Sequence, residues 1–133
     1  MALVATIAND ILTWMHGGAA PTVLTGGTKL AINTAVGTDS AAGTEVATGG
    51  GYTAGTGGRI TLSWAASSAK SQATNAVASV TNYPRAETVT SVDIFEGGGS
   101  FRRMEFGSLT ASKTMAAGDT LSFASGAITS ALA

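Results

Sequence analysis

The chain has 133 residues, of which 44% are hydrophobic, 11% charged and 6% aromatic, with a formal net charge of -1 and no cysteine. These totals exclude a disulfide framework and a cysteine-ligated metal, and they exclude the clustered Lys and Arg of a nucleic-acid-binding surface. One domain over 1–133 is the expected organisation, with enough chain to bury a core, and a charge fraction so far below the usual value of about 25% leaves an exterior suited to being covered by other subunits.

Residues 2–16 carry the one helical period. Leu3, Ile7, Ile11 and Met15 recur at four-residue intervals, with Leu12 and Trp14 beside them. Asn9 and Asp10 offer a second possible start as an N-cap. Gly17 and Gly18 end the helix, and Pro21 resists a restart. The uncharged run 11–28 is broken by His16, four glycines and Pro21, so it does not predict a membrane span. The basic start and small-residue cleavage site of a secretory signal are also missing from the N-terminal residues.

Beyond residue 28 the period switches to two. In 30–36, Leu30, Ile32, Thr34 and Val36 share one face and Ala31, Asn33 and Ala35 the other; in 59–65, Ile60, Leu62 and Trp64 oppose Arg59, Thr61 and Ser63. Both read as half-buried antiparallel strands. Segments 73–80 and 88–95 are strands by their Val, Thr and Ile content. Segment 101–106 is a strand of mixed faces, and 119–123 and 127–132 complete the series with Leu121, Phe123, Ile128 and Leu132 inward. Asn82, Tyr83 and Pro84, and the glycines at 97–99, mark turns. About seven short strands after one helix predict a mainly β protein, an antiparallel β-sandwich of jelly-roll type with one N-terminal amphipathic helix. Residues 37–58 contain few large apolar side chains and read as a long Gly-rich surface loop, a contact arm.

Each chemical motif has a structural explanation that outweighs it. The glycines at 49–58 lack the Lys-Ser/Thr pair of a phosphate loop, since Arg59 and Ile60 follow. No helix follows them to make a dinucleotide fold. His16 is the sole histidine and sits at a helix end, where its cation suits the dipole; nothing places it in a triad or a zinc site. Asp93, Glu96 and Glu105 could form a glycosidase pair, but read more simply as solvated strand-end charges. Arg102 and Arg103 point to opposite faces of a strand. Arg103 shares a face with Glu105 in an exposed pair worth about 0–1 kcal/mol, and either arginine suits a subunit contact. Asp119 closes a turn before the next strand. No enzyme activity, cofactor or metal is expected.

Read in order, the residues resemble a family of small bacteriophage virion proteins labelled tail-fibre-like, minor tail or head-decoration proteins. The likeness rests on the helix ending in a glycine pair; on Gly43, Glu45 and Val46; on 49–52; on Asn75; on Val89, Ile94 and Phe95; on the glycines 97–99; and above all on 107–129, GSLTASKTMAAGDTLSFASGAIT. Two places depart from it. Thr53 and Ala54 follow Tyr52 where the family often has Arg or Lys, Arg59 arriving later, and 81–84 replace a T-x-F-P segment. The resemblance implies a non-enzymatic structural protein of the virion, assembled in the host cytoplasm. The leading expectation is a head-decoration (cement) protein, a homotrimer on the phage major capsid protein, with no nucleic acid and no membrane as partner. The alternative is a tail-fibre or tail-tip module that binds a host surface glycan, with Tyr52 or Trp64 stacking on sugar. The expected contact residues are Trp14, Glu45, Val46, Tyr52, Arg59, Arg102 and Arg103.

Overall fold

The computed structural model describes residues 1–22, 24–55 and 57–132. In chain order the elements are β1 (Ala2–Leu3), α1 (Ala5–Met15), β2 (Thr28–Ala35), β3 (Thr44–Glu45), β4 (Ile60–Leu62), β5 (Ser71–Ala73), β6 (Ala78–Val80), β7 (Glu87–Glu96), β8 (Arg103–Met115), β9 (Leu121–Phe123) and β10 (Thr129–Ala131). The protein is mainly β and its ladders are antiparallel, with one N-terminal helix, as the periodicity predicts.

The main sheet runs β1-β8-β7-β2-β3, with β4 sharing the outer edge of β2 with β3. Its centre is the antiparallel trio β2, β7 and β8, in which Leu30 faces Ile94, Ile32 faces Val92 and Ile94 faces Glu105. Directly opposed residues share a face, so Leu30, Ile32, Val92 and Ile94 form one apolar surface. A second layer of two small ladders, β6–β9 and β5–β10, accompanies it. Val80 and Leu121 join Ile32, Val89 and Tyr83 in one buried cluster; Ala78 and Ile128 join Leu30, Val92 and Ile94 in another, with Phe123 packed against both. The sandwich is therefore lopsided: one broad sheet against two short ladders.

Several local expectations are corrected. The helix starts at Ala5, not residue 2, because Ala2 and Leu3 pair with Phe106 and Glu105 of β8. Asn9 caps nothing and lies inside the helix. Its end is as predicted, with Gly17 at φ 89°. Both faces of β2 are buried, Ala31 and Asn33 as completely as Leu30 and Ile32. Segment 73–80 splits into β5 and β6 around an exposed Val77. Strand β8 runs on through 107–115, which has no apolar alternation: Thr114 and Met115 pair with Thr88 and Glu87, across an irregularity in register opposite Val89–Ser91. Leu132, expected inward, is exposed, and so is Val36, placed on the face of Leu30 and Ile32.

The segment 37–58 is not a free arm. Thr44 and Glu45 pair with β2, and Val46 and Tyr52 enter the core at 1% and 2% exposure. Each such burial contributes on the order of 2 kcal/mol. The glycines at 49–51 serve this packing. Gly51 N–H donates to the Asn82 carbonyl at 2.8 Å, and a Cβ on Gly51 would fall inside van der Waals contact with the Thr81 carbonyl. Elsewhere, the hairpin turn between Ser68 and Ser71 is tight: the two residues exchange both backbone hydrogen bonds, at 2.8 and 2.9 Å. Its central residues, Ala69 and Lys70, have φ of 49° and 63°, a conformation costing L residues about 1–2 kcal/mol each relative to glycine.

Two stability measurements check this reading. Gly51→Ala is expected to lower unfolding free energy by about 2 kcal/mol through forced overpacking, while Gly57→Ala, where a Cβ meets nothing within 4 Å, is neutral within about 0.5 kcal/mol in urea titration. Lys70→Gly is expected to raise stability by about 1 kcal/mol, because relief of strain exceeds the added unfolded-state entropy; an unchanged or lowered midpoint would refute the strain.

Candidate functional site

The second face of the main sheet is polar, and loops and α1 lie against it. Cross-strand pairs place Ala31 beside Asp93, Asn33 beside Ser91 and Lys29 beside Phe95, with Arg103 opposite Phe95. Asn33, Ser91 and Asp93 are at most 1% exposed. Burying such groups is costly unless they are paired. Two arginine–carboxylate pairs stand on this face and a third lies at the end of β7, each one pinning a loop.

The first pair is Glu45–Arg59. Arg59 grips the carboxylate with two donors, Nε to Oε1 at 2.9 Å and Nη2 to Oε2 at 2.7 Å. The Tyr52 hydroxyl donates to Oε1 at 2.7 Å, and Gly55 N–H adds a bond at 3.2 Å. The same hydroxyl accepts the Ile32 N–H at 3.2 Å, while the Ile32 carbonyl accepts Val46 N–H at 2.9 Å. Ile32 sits between the stretches of β2 paired by β4 and by β3, so Tyr52 supplies the donor's missing ladder partner. The Arg59 guanidinium also lies 3.6 Å above the Phe95 ring centroid. Burial pushes the Glu45 carboxyl upward, but hydrogen bonds from Arg59 and Tyr52 and the Arg59 charge outweigh it, and the net shift is down. Burial, reinforced by the neighbouring Glu45 carboxylate, raises the Tyr52 hydroxyl and keeps it a donor.

The second pair is Asp93–Arg103, at 2.9 Å between Oδ1 and Nη2. Asp93 Oδ2 accepts Gly43 N–H at 2.9 Å, and Arg103 donates to the Thr38 carbonyl, so both ends of the 37–43 strap are held. The third is Glu96–Arg102, at 3.1 Å. Glu96 Oε1 also accepts Thr25 N–H at 2.9 Å, and Arg102 reaches the Thr22 carbonyl at 3.1 Å. The Thr25 N–H first, then Arg102, hold the Glu96 carboxyl below its ordinary range.

These contacts correct the reading of the carboxylates. Asp93, Glu96 and Glu105 are buried, not solvated. Arg103 pairs with Asp93 and not with Glu105, whose Oε1 accepts from Ser130 of β10. Asp93 and Glu96 sit in structural ion pairs and Glu105 on a serine hydroxyl; no group of three or more metal-ligating side chains occurs among the described residues. His16 is exposed at the end of α1.

Of the expected contact residues, Glu45, Val46, Tyr52, Arg59, Arg102 and Arg103 are engaged within the chain. Trp14 alone is open, at 54% exposure, next to Met15 at 67%. At 100° per residue, Trp14 and Met15 flank the helix face that Ile7, Ala8 and Ile11 half-bury, so the apolar stripe of α1 continues past its cover. Asn33 was missed as a polar core residue. Strand alternation assigns it to the face opposite Leu30 and Ile32, but does not reveal that a strap covers that face too.

One family model matches residues 2–131, described as podophage GP4 fiber I protein gp80. No curated protein matches the chain.

Glu45→Gln is expected to cost about 2 kcal/mol at pH 7, the scale of a charge-assisted hydrogen-bond set partly lost. Because Glu45 is shifted down from an ordinary value of 4.5, its contribution is complete above that pH and disappears as pH falls through the folded-state value. Unfolding midpoints measured from pH 7 to pH 3 should therefore converge for wild type and Glu45→Gln at the acid end; parallel curves would remove Glu45 from this role.

Proposed function

The chain belongs to the podophage GP4 fiber I protein gp80 family, and from that membership we propose that it is a non-catalytic structural subunit of a bacteriophage fibre, self-associated as a homotrimer. The observation that carries the reading is the family match along nearly the whole chain, residues 2–131. The fibre description favours the tail-fibre alternative over head decoration.

Physical features of the chain support a part built for assembly. Three of its seven Lys and Arg side chains, and three of its eight Asp and Glu, are spent on the pairs 59–45, 102–96 and 103–93. The exterior is left with even less charge than the composition indicates, which weakens its defence against association. The open apolar end of α1, with Leu12, Trp14 and Met15 all more than half exposed, is where a neighbouring copy gains most by burial. Closed rotational symmetry then satisfies the same patch on every copy.

Sedimentation of the purified protein is expected to show a trimer, and Trp14→Glu with Met15→Glu to shift it to monomer without altering its circular-dichroism spectrum. Antibody-gold labelling of intact particles is expected on fibres; gold on the head shell with bare fibres would overturn the fibre reading in favour of capsid decoration.

A further inference from the structure

Between β8 and β9 the two layers of the sandwich part. Strand β8 runs from Ser108 to Lys113 while its partner β7 goes only from Ser91 to Val89. The surplus residues leave the ladder as a bulge, with Thr110, Ala111 and Ser112 exposed. Beside them lies an open cleft of about 610 Å³, within the range of about 300–1,000 Å³ of sites that enclose a compact apolar group. Leu109 and Phe123 of its lining are half-buried and Ala111 and Ala127 exposed, so apolar area stays open. Lys113 is the one charged side chain among the lining residues.

The end of α1 has the converse shape. Leu12, Trp14 and Met15 stand out from the surface, each more than half exposed, and an apolar patch of that kind marks a contact. Of the two tryptophans, Trp64, expected to meet sugar, packs against the core and donates Nε1 to Thr28 Oγ1 at 2.7 Å; Trp14 is the open one. A tryptophan buries about 150–250 Å² on entering a pocket, and such anchors dominate subunit interfaces. No residue of α1 lines the cleft among the described residues, so one chain presents a knob and a hollow on separate surfaces.

Charge matches the two. Asp10 is the one charged residue of α1, and it stands one turn before Trp14, about 40° away around the helix axis. Seating Trp14 in the cleft brings this carboxylate to the side of Lys113, opposite charges on surfaces that are otherwise uncharged. Packing two α1 ends against each other would instead set Asp10 against Asp10. We propose that the cleft between β8 and β9 is the socket for the α1 end of a second copy of the chain, with Trp14 on its apolar lining and Asp10 beside Lys113. The contact joins two different surfaces, so it repeats from copy to copy until rotation closes a ring or a chain grows. It rests on the self-association put forward above and names the surface that receives the helix.

The test is complementation, read by sedimentation. Ala111→Trp fills the socket and leaves the helix end intact; Trp14→Glu/Met15→Glu removes the knob and leaves the socket intact. All three positions are exposed, so unfolding midpoints are expected to stay at the wild-type value. Each variant alone is expected to be monomeric where wild type is fully associated, and their equimolar mixture to give a 1:1 dimer and nothing larger. Lys113→Glu is expected to weaken wild-type association about 5-fold, and Asp10→Lys in the same chain to restore it to within about 2-fold. The proposal is overturned if Ala111→Trp associates as wild type, if the mixture stays monomeric, or if Lys113→Glu/Asp10→Lys associates no better than Lys113→Glu. Wild type that forms open chains while the mixture dimerises sinks the trimer alone, and a wild-type trimer that Ala111→Trp leaves intact sinks the socket alone.

Discussion

Four donors converge on one carboxylate, and the placement of Tyr52, Gly55 and Arg59 around the sheet depends on them. Glu45 receives Tyr52, Gly55 and both forks of Arg59. A stretch as rich in glycine as 49–58 loses more conformational entropy on ordering than any ordinary loop of its length. Tyr52 and Val46 supply the apolar area that offsets this. A tyrosine enters a core comfortably only when its hydroxyl is bonded. Here that hydroxyl both fills the gap in the β2 ladder at Ile32 and donates to Glu45. Arg59, from the far end of the loop, locks the same carboxylate and stacks on Phe95 of the central strand. The loop is closed at its two ends by one salt bridge and attached to the sheet through one hydroxyl.

The same device recurs at two further loops. Asp93 with Arg103 fastens the strap 37–43, and Glu96 with Arg102 fastens Thr22 and Thr25 to the β7–β8 turn. At that turn the backbones of Gly26 and Gly97 approach so closely that neither has room for a Cβ. Isolated buried ion pairs stabilise little in net terms, because desolvation opposes their attraction. Their value here is positional: each carboxylate selects one loop conformation out of many by accepting particular backbone N–H groups. The arrangement also turns charge inward and leaves the outside with few ionic groups, consistent with a chain whose family is that of a phage fibre protein.

How far the residues alone reach is seen by comparing β7 with β8. In 88–95 the Val, Thr and Ile content marks a strand, and β7 is where that content puts it. In 107–115 Ser, Thr, Ala and Lys carry no such signal, and the strand exists because β7 beside it offers a ladder. The turn glycine at Gly17 was legible, since a left-handed residue after a helix is a local requirement. The role of Gly51 was not, because it depends on the Thr81 carbonyl thirty residues away. Val46 and Tyr52 carry a motif signal that reads as a subunit contact, and both lie in the core.

The sequence by itself determined the mainly antiparallel β class, the single N-terminal helix with its glycine stop, the apolar face of the central strands and the likeness to phage virion proteins. Those features are written in local periodicity, turn chemistry and an ordered set of motifs. Only the tertiary structure decided which carboxylate meets which arginine, that Asp93 and Glu96 lie under loops and not in water, and that a cleft opens between β8 and β9. Pairing across the chain depends on where loops of uncertain reach come to rest, and alternation along a strand separates its two faces without revealing what covers the second.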